Sequence, residues 1–96
     1  MANFCITAVR YNAARTHLET VWVREEKSKT VGAAREVPRI FVADLIRLGL
    51  ATFQTRTKNA EGKWSVGAQV YLFEDEFLTT DPNATERDNL GSLPEE

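Results

Sequence analysis

The stretch Val37-Pro38-Arg39-Ile40-Phe41-Val42-Ala43-Asp44-Leu45-Ile46-Arg47-Leu48-Gly49 carries the one clear helical signal of the chain, and strand-like sequence flanks it on both sides. Proline suits the first helical position, where a backbone N–H would have no intrahelical acceptor. Glycine suits the left-handed residue just past a helix C-terminus. At 100° per residue, Val37, Phe41, Leu45 and Leu48 share one face, Val42 and Ile46 widen it, and Arg39, Ala43 and Arg47 gather opposite. The pattern predicts a helix over 38–48 with Phe41, Leu45 and Leu48 buried against a sheet.

The sheet is written in the flanks. Phe4 to Arg10 has apolar residues on both alternating faces and reads as a central strand. Residues 11–16 form a short connection, and His17 to Arg24 reads as a second strand, antiparallel to the first. Glu25 to Glu36 is polar and aperiodic and reads as a long loop. Beyond Gly49, residues 50–58 alternate threonine and apolar groups with polar ones, and Asn59-Ala60-Glu61-Gly62 reads as a type I turn closed by a left-handed glycine. Trp64, Val66, Ala68, Val70 and Leu72 then share one side of a strand, with Gly67 a candidate bulge. Glu74-Asp75-Glu76 reads as a turn, and Phe77 to Thr80 as a short last strand stopped by Asp81-Pro82-Asn83. The order is β-β-α-β-β-β. It predicts an α+β fold, an antiparallel sheet with one helix packed on one face.

Ninety-six residues suffice for one small domain spanning 1–96. Residues 84–96 are polar, but Leu90 and Leu93 offer apolar anchors, so this closing segment is expected to dock on the body. The single Cys5 excludes an intrachain disulfide and any multi-cysteine metal site. No apolar run approaches the ~18 residues of a membrane span. Nor does the N-terminus show the basic and apolar regions of a signal peptide. The expected setting is the cytoplasm.

Three stretches together resemble a small bacterial family, domain of unknown function 3892. They are Ile6-Thr7-Ala8-Val9-Arg10, the helix ending in Gly49 with its continuation through Phe53 to Thr55, and the close. The close runs Phe77-Leu78-Thr79-Thr80-Asp81-Pro82-Asn83, then Asp88-Asn89-Leu90-Gly91-Ser92-Leu93-Pro94. Phe77 stands where that family usually has tyrosine, which removes a hydroxyl, and the 25–35 loop is longer than usual. The resemblance implies a stand-alone domain whose closing segment belongs to the fold, and it implies no activity.

The residues themselves point away from catalysis. His17 and Cys5 fall on different strands with no third group to orient them, and no glycine-rich phosphate loop is present. Glu74, Asp75 and Glu76 are contiguous, which is not the spacing of calcium ligands. Asp81, Asn83 and Asp88 read as turn-capping side chains. No catalytic, metal or cofactor site is therefore expected. The chain is read as a small non-enzymatic binding or accessory module with a protein partner.

The alternative is nucleic-acid binding. Arg56, Lys58 and Lys63 crowd the predicted hairpin tip beside Trp64, an arrangement that lies along phosphates and stacks on a base. Two features oppose it. The sequence pI is about 5.4, and Trp64 heads the apolar alternating series, which predicts core packing for it. Charge is also split. Residues 1–65 hold eleven Lys/Arg against six Asp/Glu, and residues 66–96 hold one against eight. The acidic third is expected to shield the basic surface.

Overall fold

The structure, a computed structural model, describes residues 2–15, 17–27, 30–73, 77–80 and 93–96. Its elements are β1 (Phe4–Tyr11), β2 (Leu18–Glu25), β3 (Arg35–Pro38), α1 (Arg39–Arg47), β4 (Phe53–Lys58), β5 (Trp64–Gln69), β6 (Tyr71–Phe73) and β7 (Phe77–Thr79). Five strands form one mixed sheet in the order β3-β2-β1-β4-β5, and β6 and β7 form a separate ribbon. The fold is α+β, mostly sheet with one helix.

The sheet is not wholly antiparallel as the sequence predicts. β1 and β4 run parallel, with Phe4 opposite Phe53, Cys5 opposite Gln54 and Ile6 opposite Thr55. The cause is β3, which falls where the sequence predicts the end of a loop. β3 pairs antiparallel with β2, and β2 with β1, so β3 and β1 share a direction. Helix α1 then carries the chain back across the sheet, and β4 starts in that same direction. Parallel neighbours need such a crossover. β3 has only Val37 as an apolar residue among its four, too short a pattern to announce a strand.

The helix falls where expected, with Pro38 at its N-cap and Leu48 at its C-cap. Gly49 has φ 70°. Its N–H donates to Ile46 C=O and that of Leu50 to Leu45 C=O, which closes the last turn as a Schellman motif. The buried face is not the expected one. Val42 and Ala43 are buried and Leu45 and Ile46 half-buried, while Phe41 and Leu48 face outward. The helix is apolar on both sides, so a wheel alone cannot choose between them. Ala43 decides it, because the smallest side chain of the helix allows close approach to the sheet. Arg39 pins the first turn by donating from Nε to the Leu18 carbonyl (3.0 Å).

Ile6, Val9, Val21, Val23 and Phe53 supply the helix side of the sheet, and Leu18, Leu78 and Leu93 complete the core. The long strand expected over 64–73 is broken at Val70, which is buried and donates its N–H to Phe53 C=O (2.9 Å). Of the rest of the predicted inward series, Leu72 packs half-buried against the core and the others do not. Val66 and Ala68 are exposed, because β5 is an edge strand of the sheet.

β1 has a divided edge. Its first half pairs with β4. Its second half takes the closing residues, where Val9 donates to Pro94 C=O (2.9 Å) and Glu96 donates to Val9 C=O (2.8 Å). Leu93 is buried beside them. Leu90, and the rest of 81–92, lie outside the described residues.

Candidate functional site

Successive residues of a strand face opposite sides. With the apolar set turned toward α1, the other side of the sheet carries Arg10, Trp22, Arg24, Arg56, Lys58 and Trp64. β4 leaves β1 after Thr55, and the β4–β5 hairpin curls over this open face. Trp64 therefore meets Arg24 of β2, although β1 and β4 stand between β2 and β5 in the sheet. The Arg24 guanidinium lies 4.9 Å from the indole centroid and Lys58 Nζ 5.3 Å. Arg10 makes the same contact with Trp22, at 5.1 Å.

Two devices hold the hairpin in this position. At its tip the Asn59 side chain accepts from the N–H of Glu61 (2.9 Å) and of Lys63 (3.0 Å). At its base Gly67 passes so close to Thr55 that a side chain there would collide with Oγ1. That hydroxyl accepts from Ala68 N–H (3.0 Å). The strand register shifts between Gln54 and Arg56 at this point, so the expected bulge is present.

Beneath the hairpin lies an ion pair that sequence reading does not reveal. Arg56 donates Nε (2.7 Å) and Nη2 (2.8 Å) to the two oxygens of Glu26, and Gln54 donates to the same carboxylate. The Glu26 side chain is 1% exposed and that of Arg56 19%. Burial pulls the Glu26 carboxyl upward, but the Arg56 and Gln54 hydrogen bonds and the Arg56 charge outweigh it, leaving it below its ordinary value. Its hydrogen bond to Glu26 moves Arg56 upward against burial. Burial, with the Glu26 charge, pushes the neighbouring Cys5 thiol up to about 11. The thiol is buried and protonated, the opposite of an activated nucleophile. Cys5 pairs with Arg24 at one end of the β1–β2 ladder, and His17 precedes Leu18, the partner of Tyr11, at the other. Six residues of strand separate the two by about 20 Å. The His17 ring stacks on Phe77 at 4.7 Å.

The four basic and aromatic residues singled out in the sequence do come together. Arg56, Lys58, Lys63 and Trp64 line one open cleft of about 680 Å³ with Lys27 and Thr30. Their roles differ. Arg56 is neutralised by Glu26 and holds the hairpin down. Lys27 and Lys58 have no carboxylate partner among the described residues, and Lys63 has only Glu61 at 4.0 Å, both well exposed. Trp64 is half-buried on the open face and is not a core residue. A second cleft of about 420 Å³, which shares Trp64 and Lys58 with the first, opens where β4 diverges from β1, lined also by Trp22, Arg24, Thr57 and the closing Pro94 and Glu96. Trp64 and Lys58 thus border both a lysine-lined cleft and an aromatic one. Arg24 and Trp22 escape sequence reading because nothing local shows that the hairpin curls over them.

Glu74, Asp75 and Glu76, expected to shield this surface, lie outside the described residues, as do Asp81, Asn83 and Asp88. Glu95 pairs with Arg15 (2.9 Å), away from the hairpin. Among the described residues no three His, Cys, Asp or Glu side chains cluster as metal ligands would. None of their helices is long and apolar enough to cross a membrane. No family model, no curated protein and no solved structure matches the chain.

Proposed function

We propose that the chain is a small binding module whose contact surface is the open sheet face around Trp64, and that its ligand is single-stranded nucleic acid. The observation that carries this is the pairing of two clefts across one indole. Lys27, Lys58 and Lys63 offer charges to phosphates on one side, and Trp22 and Trp64 offer aromatic surface to a base on the other. Single-strand binders combine these two features. Lys58 now covers part of Trp64. An exposed cation–π contact is worth about 0.5–1 kcal/mol, and base stacking on an aromatic about 1–3 kcal/mol. An incoming base therefore displaces the lysine, which turns to the phosphate. Arg24 also lies against the indole and is itself fixed by donation to Gly32 C=O (3.0 Å).

The module works by binding, not catalysis. Burial keeps Cys5 protonated and the Arg56 hydrogen bonds keep Glu26 ionised, so neither is poised to exchange a proton near neutral pH. A cytoplasmic setting, as the sequence suggests, is where such a ligand is met. The expectation of a protein partner draws its support from a different surface, the outer side of α1.

Fluorescence anisotropy with a labelled single-stranded oligonucleotide tests the reading. Binding is expected at low salt and should weaken with a log–log slope of about −0.7 per phosphate neutralised. Trp64→Ala should weaken it about tenfold or more, and Lys58→Glu should lower the slope as well. Absence of binding at low salt, or binding indifferent to Trp64, would overturn it.

A further inference from the structure

A carboxylate borders the aromatic cleft. Glu96 lines it together with Trp22, Arg24 and Trp64. The backbone fixes its place there. Glu96 N–H donates to Val9 C=O (2.8 Å), and Val9 N–H donates to Pro94 C=O (2.9 Å). Side chains alternate along an extended segment. Glu95 accordingly turns away to pair with Arg15 (2.9 Å), while Pro94 and Glu96 both border the cleft. Among the described residues Glu96 is paired with neither Arg24 nor Lys58, which line the same cleft. A carboxylate would oppose phosphates, but beside an indole that takes a base it has another use. When ionised it has acceptors only, so it suits the donors on a base edge. Single-stranded bases expose that edge and are read there.

We infer, building on the single-strand reading, that the aromatic cleft selects guanine, whose N1–H and N2–H donate side by side to the Glu96 carboxylate. The other bases do not match. Adenine and cytosine each offer an amino group beside an unprotonated ring nitrogen, whose lone pair faces the second carboxylate oxygen. Uracil and thymine offer a ring N–H between two carbonyl oxygens. Only guanine sets two donors next to each other. Its far edge, O6 and N7, accepts, and arginine is the commonest partner there. Arg24 supplies such a donor within the cleft, its Nη1 already held by Gly32 C=O (3.0 Å). At about 420 Å³ the cleft falls within the range of small-ligand sites, roughly 300–1,000 Å³. Charge is divided to match. The phosphates lie with Lys27 and Lys63 in the neighbouring cleft, which Glu96 does not line.

Anisotropy titrations of the full chain with an oligothymidylate carrying one central guanine, adenine, cytosine or hypoxanthine test this. The guanine strand should bind about tenfold more tightly than the adenine and cytosine strands, the discrimination of a good bidentate contact. Adenine controls for purine stacking. Hypoxanthine keeps N1–H but lacks the amino group, and its strand should fall between. Glu96→Gln should erase the preference, because an amide presents one acceptor oxygen where the carboxylate presents two. Glu95→Gln, which loses the Arg15 pair of the same segment, should retain it. Guanosine monophosphate should compete far less well than the guanine strand, since it brings a single phosphate to the lysines. Equal affinities for the four strands overturn the inference and leave the single-strand reading standing, whereas no binding by any strand overturns both. A preference that survives Glu96→Gln, or is lost equally with Glu95→Gln, overturns the role of Glu96. Competition by the mononucleotide as strong as by the strand overturns the strand as ligand.

Discussion

The two sides of the five-stranded sheet are built from the same strands, one residue out of step, and they do different things. Toward α1, Ile6, Val9, Val21, Val23 and Phe53 are buried in one apolar cluster with Val42 and Ala43 of the helix. On the open side, Arg10, Trp22, Arg24, Lys58 and Trp64 make cation–aromatic contacts at about 5 Å and each stays partly exposed. The difference teaches where stability resides. The helix side has lost water and holds the fold together. The open side has kept part of it and holds a shape, with the buried Glu26–Arg56 pair as a strong fastening among the described residues.

Mutations that act on one side only would break or sharpen this contrast. The largest effect belongs to Phe53→Ala, which should cost about 3–5 kcal/mol by denaturant unfolding, the usual penalty for emptying a buried aromatic site. A loss under about 1 kcal/mol would mean that the apolar side is not the stabilising one. Glu26→Gln comes next. It leaves Arg56 partly buried without its counter-charge and should cost about 2–4 kcal/mol, below a fully buried pair because Arg56 keeps some water. The double variant Glu26→Gln, Arg56→Met should recover part of that loss.

A pH scan separates the two buried acids. Glu26 has a lowered folded-state value, so its contribution is present above its unfolded value near 4.5 and fades as pH falls through the folded one. Cys5 has a raised value, from 9.0 to about 11, so its contribution is complete below pH 9 and disappears between pH 9 and about 11. Two units correspond to roughly 2.7 kcal/mol. Cys5→Ala should flatten that alkaline decline relative to wild type, measured as unfolding midpoints from pH 8 to 11. An identical decline in both proteins would show that the thiol is not held as described. Trp64→Ala should be the mildest for the fold, about 1 kcal/mol or less, since it removes half-exposed cation–π contacts. If it unfolds the protein, the open face is a second core and the contrast fails.

Much of this architecture is legible in the residues. Pro38 and Gly49 bracket the helix because one lacks an N–H and the other accepts positive φ. Asn59 to Gly62 announces the hairpin for the same kind of local reason, and Gly62 has φ 78°. What local pattern cannot carry is direction, side and distance. Alternation places Trp64 and Val70 on one series but not which members reach the core, and Val70 is buried while Trp64 is not. A short strand with one apolar residue leaves no period to detect, so β3 is hidden, and with it the parallel β1–β4 pair. Glu26 and Arg56 lie thirty residues apart, in a stretch that reads as solvated loop and a stretch that reads as a phosphate contact. Only the folded chain shows that they neutralise each other.

The divided edge of β1 has a consequence in time. Its first half is closed by β4 across half of the chain, its second half by residues 94–96 across nearly all of it. Closing the longer loop costs only slightly more entropy. Among the described residues, the contact it gains is an isolated bridge, the exposed Glu95–Arg15 pair and one buried leucine, Leu93. The two halves of one strand should therefore open on separate clocks. In native-state hydrogen exchange, the amide of Val9 should follow a sub-global opening of lower free energy than the amides between β1 and β4. Each such opening removes Pro94 and Glu96 from the wall of the aromatic cleft, so the amide of Val9 becomes a spectroscopic reporter of how often that cleft is whole.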